Sequence, residues 1–213
     1  MKKIITLFLL ILTYNSLMGQ YDPKALEILE SMSKKYKVMT AFEANFSYTW
    51  TNKIDDIHEE FKGKIVVKGD KYRLLLPEQE ISNDGTTVWT YLPEAMEVNI
   101  DNSDKTSDDY NPYKFYDIYK KGFKYLYLED KLVDKILCEV VDLVPEKKDA
   151  QFYKIRMLIA KKDKSVQSWI MFDRSGNEYS YKITKFNPSV KVDNNYFVFN
   201  TKLYPNVEVI DLR

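Results

Sequence analysis

ISNDGTTVWTYLPEAMEV, residues Ile81 to Val98, is the stretch on which the fold turns. Asp84-Gly85 reads as a hairpin turn, because glycine reaches φ > 0 without a Cβ penalty and aspartate tolerates that region. The flanks are half apolar and rich in strand formers, with Val88 to Leu92 on one arm and Met96, Val98 and Ile100 beyond. Outward from this hairpin the same period of two recurs. Upstream, Phe42, Ala44, Phe46, Tyr48 and Trp50 alternate strictly with Glu43, Asn45, Ser47 and Thr49, giving one apolar and one wet face. Phe61, Gly63, Ile65 and Val67 form the next row, interleaved with lysines, and Tyr72, Leu74 and Leu76 follow up to Pro77. Downstream the pattern predicts strands near 136–144, 152–160, 166–173, 179–186, 196–200 and 207–212, joined by short turns such as Arg174 to Asn177.

Two segments break this rhythm with a period of 3.6. Asp22 is an N-cap and Pro23 fits the first helical position, after which Ala25, Leu29, Met32 and Tyr36 share one face. A second helix is expected to start at Asn111-Pro112, with Phe115, Ile118, Tyr119 and Phe123 on its apolar face and lysines opposite. The sum is an α+β fold, mainly antiparallel β, of about ten or eleven strands with one helix before them and one inserted midway. A sheet this long tends to curl into a barrel or half-barrel, the helices plugging its open side. On pattern alone, two faces meeting in a flat sandwich is equally open.

Ahead of this domain, residues 1–20 (MKKIITLFLLILTYNSLMGQ) carry Lys2 and Lys3, an apolar run from Ile4 to Leu12 and the small-residue ending Met18-Gly19-Gln20. This is the pattern of a cleaved secretory signal, too short to span a bilayer. The expected cut after Gly19 or Gln20 leaves a single domain over 21–213, and no cysteine stands at that junction to take a lipid anchor. The whole chain balances 32 basic against 32 acidic residues, and without Lys2 and Lys3 the balance falls to 30 against 32. Nothing there suggests a nucleic-acid partner. Cys138 is the sole cysteine, so no intramolecular disulfide forms, and its setting in ILCEVVDLV is that of a small buried hydrophobe. With 17 Tyr and 11 Phe, the chain must provide a large apolar surface as core or as cavity wall.

Catalytic chemistry is sparse. His58 is the only histidine and reads as a solvated turn residue, and no CxxC, HExxH, GxSxG, P-loop or GxGxxG occurs. The acidic run Asp101, Asp104, Asp108 and Asp109 lacks the spacing of a calcium loop and is interrupted by Lys105, so it reads as solvated. No enzyme activity, cofactor or metal is expected. Arg73 is the odd cation within an apolar strand. It either faces solvent or, aimed into a cavity, requires a carbonyl or carboxylate partner.

Taken in order, these pieces resemble the LolA family of periplasmic lipoprotein carriers. The resemblance rests on an N-terminal helix, the Phe42-x-Ala44-x-Phe46 strand, the run Gly63 to Lys68 (GKIVVK), the aromatic strand from Lys71 to Leu76 and the hairpin from Asp84 to Pro93. Asn111-Pro112-Tyr113, the turn from Asp173 to Gly176 and a late Phe197-Val198-Phe199 complete it. It implies an incomplete barrel with a helical lid over an apolar cavity. The implied task is to take acylated lipoproteins from an inner-membrane ABC releasing complex and ferry them through the periplasm to an outer-membrane acceptor, working as a monomer. On that reading the lining is drawn from Phe46, Tyr48, Trp50, Tyr72, Leu74, Trp89, Tyr91, Phe115, Ile118, Tyr119 and Trp169. The family often follows the second strand's lysine with Arg-Pro, its arginine latching the lid. Here Gly69-Asp70 occupy those places, leaving Arg73 as the candidate latch. The alternatives are a carrier for another lipid or a glycolipid, and an outer-membrane barrel or scaffold. Two helices and lysine-rich outer faces speak against the last.

Overall fold

The computed structural model describes residues 21–103 and 115–213. The signal-like segment, the expected helix start at Asn111-Pro112, and Asp104, Asp108 and Asp109 fall outside the described residues. The first helix, α1 (Pro23–Lys37), begins as its sequence dictates. Asp22 accepts from the amides of Lys24 and Ala25, and Pro23 opens the first turn. Lys34, Lys35 and Lys37 crowd the last turn, where the helix dipole favours cations.

The strands are β1 (Phe42–Asn52), β2 (Ile57–Lys68), β3 (Lys71–Leu75), β4 (Glu80–Asn83), β5 (Thr87–Leu92) and β6 (Glu97–Asn102). After a 3₁₀ helix (Phe115–Lys120) come β7 (Phe123–Val133), β8 (Ile136–Pro145), β9 (Phe152–Ala160), β10 (Val166–Asp173), β11 (Asn177–Asn187) and β12 (Glu208–Asp211). All belong to one unclosed, curved sheet in the order β12-β6-β5-β4-β3-β2-β1-β11-β10-β9-β8-β7. Two meanders therefore meet where β1 pairs with β11, and among the described strands every ladder is antiparallel except β12 on β6. The Asp84-Gly85 turn is present between β4 and β5. Gly85 has φ +96°, and Asp84 Oδ1 accepts from the amides of Thr86 and Thr87 and from the Thr86 hydroxyl.

The main core lies between α1 and the sheet. Ala25, Ile28, Leu29, Met32 and Tyr36 meet Phe42, Ala44, Ile65 and Val67 from one meander and Val141, Leu143, Ile155, Met157 and Ile159 from the other. Gly63 is required here because a Cβ at that position would come within 2.6 Å of the Phe46 ring and 2.9 Å of Leu76.

Four sequence expectations are corrected. The segment after Gly122, expected to extend an amphipathic helix through Phe123, is the edge strand β7, and the described part of the expected helix is the 3₁₀ stretch Phe115–Lys120. Its strand signal is masked because apolar residues occupy both faces, Tyr125 and Tyr127 on one and Leu126 on the other. Residues 196–200 are not a strand. They lie around the 3₁₀ helix Asn194–Phe197, where Asp193 caps the amide of Asn195. The final strand exists but runs parallel to β6. His58 lies in β2, exposed, rather than in a turn.

Candidate functional site

The register places aromatic residues in continuous rows on the α1 face. Tyr127, Val141, Met157, Trp169, Tyr181, Tyr48 and Phe61 are successive cross-strand neighbours from β7 to β2. A second row runs Tyr125, Leu143, Ile155, Met171, Tyr179, Trp50 and Glu59. Their rings touch in sequence. Phe115 of the 3₁₀ helix stacks on Trp169 at 5.6 Å, Trp169 on Tyr181 at 4.9 Å, and Tyr181 meets Tyr48 at 4.8 Å. Beyond Tyr48 lie Phe61 at 6.0 Å and Tyr179 at 6.4 Å, and Trp50 stacks on Tyr179 at 6.4 Å.

This aromatic floor has a covered end and an open end. At the covered end, Tyr36 packs edge-on against Phe42 and Phe115 and its hydroxyl accepts the Val166 amide. Burial pushes its phenol up to about 12, against the opposing effect of that amide. Burial likewise raises the Tyr181 phenol well above its usual range. At the open end, Tyr48, Trp50, Phe61 and Tyr179 are only half-buried. Trp50 Nε1 donates to Asn177 Oδ1 at 2.9 Å, which fixes the indole on the floor. Trp169 Nε1, in the middle, is buried without a partner among the described residues, a donor at the junction between the stack and the 3₁₀ helix.

The 3₁₀ helix is held over the floor by charge. Ser33 Oγ donates to Asp117 at 2.7 Å, while Lys120 and Lys37 pair with its two oxygens at 2.8 and 3.0 Å. Burial opposes ionisation, yet the hydrogen bonds from Lys120, Ser33 and Lys37 outweigh it and hold the Asp117 carboxyl below its ordinary value.

Of the expected lining residues, the structure brings Phe46, Tyr48, Tyr72, Leu74, Phe115, Ile118, Tyr119 and Trp169 into or against one cluster. Trp50 stands beside them in register on β1. Trp89 and Tyr91 are on the other face. Ile81 faces α1, its partner across the ladder is Thr90, and so Trp89 and Tyr91 project away with Ser82 and Glu80. Both faces of β5 carry large residues, so apolar content alone could not assign its parity. Missed by sequence reasoning were Tyr179, Tyr181 and Phe61 as floor residues, although their period-two spacing could have found them.

The opposite face of the first meander is covered by the chain's own C-terminal segment. Phe197 is fully buried there with Val98, Val66 and Phe199, apart from the α1 core. Tyr91 packs against Phe199 at 5.4 Å and Tyr204 at 4.6 Å. Arg73 serves this second core and not the 3₁₀ helix Phe115–Lys120. It pairs with Glu80 at 2.6 Å, donates to the Tyr196 carbonyl at 3.1 Å and lies over the Tyr196 ring. The latch expected of Arg73 is thus corrected by register. Arg73 is opposite Val66 and Ser82, on the face away from α1. An open groove of about 780 Å³ also lies on β11, β1, β2 and β3, with Lys62, Lys64, Lys182, Ser47 and Leu75 in its lining. Phe46, Leu76 and Pro77 also line it, so it offers apolar surface between lysine walls, beside the longer aromatic floor.

The architecture is that of an unclosed carrier-type barrel, an open antiparallel sheet with one long helix on its aromatic face. The family model described as outer membrane lipoprotein carrier protein LolA matches residues 37–200, and the chain belongs to that family. An uncharacterised conserved protein of Thermus thermophilus is similar at TM-score 0.60 and 13% identity, over 88% of this chain and 99% of that one. A LolA superfamily protein of Nitrosomonas europaea is similar at TM-score 0.46 and 13% identity, over 82% and 97%. The Mycobacterium tuberculosis lipoprotein LppX gives TM-score 0.47 and 12% identity, over 81% and 100%. At 13% identity the likeness to the Thermus protein concerns the fold alone. No curated protein matches the chain.

Proposed function

We propose that the protein carries acyl chains through the periplasm, taking acylated lipoproteins from an inner-membrane ABC releasing complex and delivering them to an outer-membrane acceptor. The observation that carries this reading is the ring row from Phe115 to Trp50, continuous under the 3₁₀ helix and half uncovered beyond it. Each buried methylene is worth about 0.8 kcal/mol, so a lipoprotein's chains cannot travel bare in water. Only the surplus over ordering and desolvation appears as affinity. A floor already partly packed, which must shed its 3₁₀ cover to admit more chain, holds cargo loosely enough to release it. Trp169 Nε1, buried and unpartnered, is a donor for an ester or amide carbonyl once Phe115 lifts from it.

The test is transfer of a labelled lipoprotein from inner-membrane vesicles to the purified protein, beside unfolding curves. Trp50→Asp and Ile118→Asp are expected to reduce uptake far more than stability, and equal losses in both would make these plain core residues. Mass spectrometry of co-purified material separates cargo classes: acylated peptide supports the lipoprotein reading, while head-group lipid alone replaces it with a lipid or glycolipid carrier.

A further inference from the structure

We propose that the open end of the aromatic floor seats a cationic head group, so that the preferred ligand is an acyl amphiphile bearing an ammonium. This rests on the carrier reading and adds to it the charge of the cargo.

Among the described residues, several strand and turn acids are neutralised by a cation. Glu43 bonds Lys64, Glu80 bonds Arg73, Asp142 bonds Arg156, Glu139 bonds Lys164, Asp130 bonds Lys161 and Asp163 bonds Lys35. Glu59 and Glu78 have no ion pair among the described residues, and both border the floor. Glu59 is the direct cross-strand neighbour of Trp50, on the α1 face, where Cβ atoms stand about 5 Å apart. Glu78 lies in the turn between β3 and β4. Besides burial and Tyr179, the charges that raise the Tyr48 phenol are those of Glu59 and Glu78. Asp173, which caps the turn before β11, adds its charge next to Tyr179.

Tyr48, Tyr179, Trp50 and Phe61 thus form four rings with near-parallel neighbours, half-exposed and bordered by unneutralised carboxylates. Aromatic faces attract a cation within about 6 Å, more strongly when it is desolvated, and tryptophan and tyrosine do so best. The same carboxylates repel a sulfate, phosphate or fatty-acid head group. With the head at Trp50 and Glu59, the chain follows the row through Tyr48 and Tyr181 to Trp169, inward beneath Phe115. The head therefore stays at the wet end and the chain at the dry one.

The experiment compares dodecyltrimethylammonium, dodecyl sulfate and dodecyl maltoside below their micelle thresholds, by calorimetry and tryptophan fluorescence on the full mature chain. The cationic probe is expected to bind at least tenfold more tightly than the anionic one, with the ratio narrowing as salt rises. In Glu59→Gln/Glu78→Gln, checked for an unchanged unfolding midpoint, the ratio should fall close to one. An equal or reversed ratio in the natural chain overturns the inference, as does a ratio untouched by the double substitution. If none of the three binds, the carrier reading itself fails. A palmitoylated peptide with a free amino terminus and lysophosphatidylethanolamine then present the two sources of the ammonium. Loss of affinity for either in the double variant supports the inference, and loss for neither overturns it.

Discussion

The two ends of the aromatic floor are built from the same residue types and have opposite fates. At one end Phe42 and Phe115 are sealed by Tyr36 of α1, whose hydroxyl is satisfied by a backbone amide. At the other Tyr48, Trp50 and Tyr179 lie in register on adjoining strands, yet no described helix covers them. Composition does not separate the ends. What separates them is how far α1 and the 3₁₀ helix reach, and this makes one end core and the other available surface.

The largest break of that contrast is Tyr36→Ala, which removes four ring contacts and the Val166 bond from the sealed end. A loss of about 3–5 kcal/mol is expected from denaturant unfolding. Gly63→Ala drives a methyl into the Phe46 ring and Leu76, and should cost about 1–3 kcal/mol by the same measurement. Asp117→Asn tests what holds the 3₁₀ cover. The folded carboxyl titrates below its unfolded value, so its stabilisation is fully present above that value, about pH 4, and is lost as pH falls below it. The gap in unfolding free energy between Asp117→Asn and the natural chain should hold steady from about pH 7 to 5 and shrink below about pH 4. A gap independent of pH would remove the ionised latch. The smallest stability effect belongs to Trp50→Ala, under about 1 kcal/mol for a half-exposed side chain, although acyl-chain affinity should fall roughly tenfold or more. If stability and affinity fall together, the open end is core like the other.

Much of this was legible in the residues. Strict alternation from Phe42 to Trp50, the Asp84-Gly85 turn and the Asp22-Pro23 helix start each encode a local rule, and each element formed where its rule placed it. Parity failed where both faces of a strand are bulky. Trp89 and Tyr91 read as floor residues because nothing local reveals that Phe197, Phe199 and Tyr204 return to cover the opposite face. β7 failed for a related reason, since Leu126 and Leu128 hide the alternation of Phe123, Tyr125 and Tyr127. Arg73 was readable as a cation needing a carbonyl or a carboxylate. That Tyr196 would supply the carbonyl depends on a segment more than a hundred residues away, while Glu80 comes from the adjoining strand.

The meeting of β1 with β11 has a consequence for how the molecule is made. Trp50 bonds to Asn177 across 127 positions of chain, while β1 to β6 are joined by neighbouring hairpins. A ribosome delivers the first meander early, and it can zip locally at low contact order. Yet α1, already synthesised, packs on β7 and the 3₁₀ helix, and β1 keeps one edge bare until β11 appears. For most of its synthesis the nascent chain therefore presents an apolar helix only partly covered by the first meander and an unpaired strand edge, two features that invite aggregation. On the carrier reading, a protein that shields the greasy parts of others must itself be shielded until its late strands arrive.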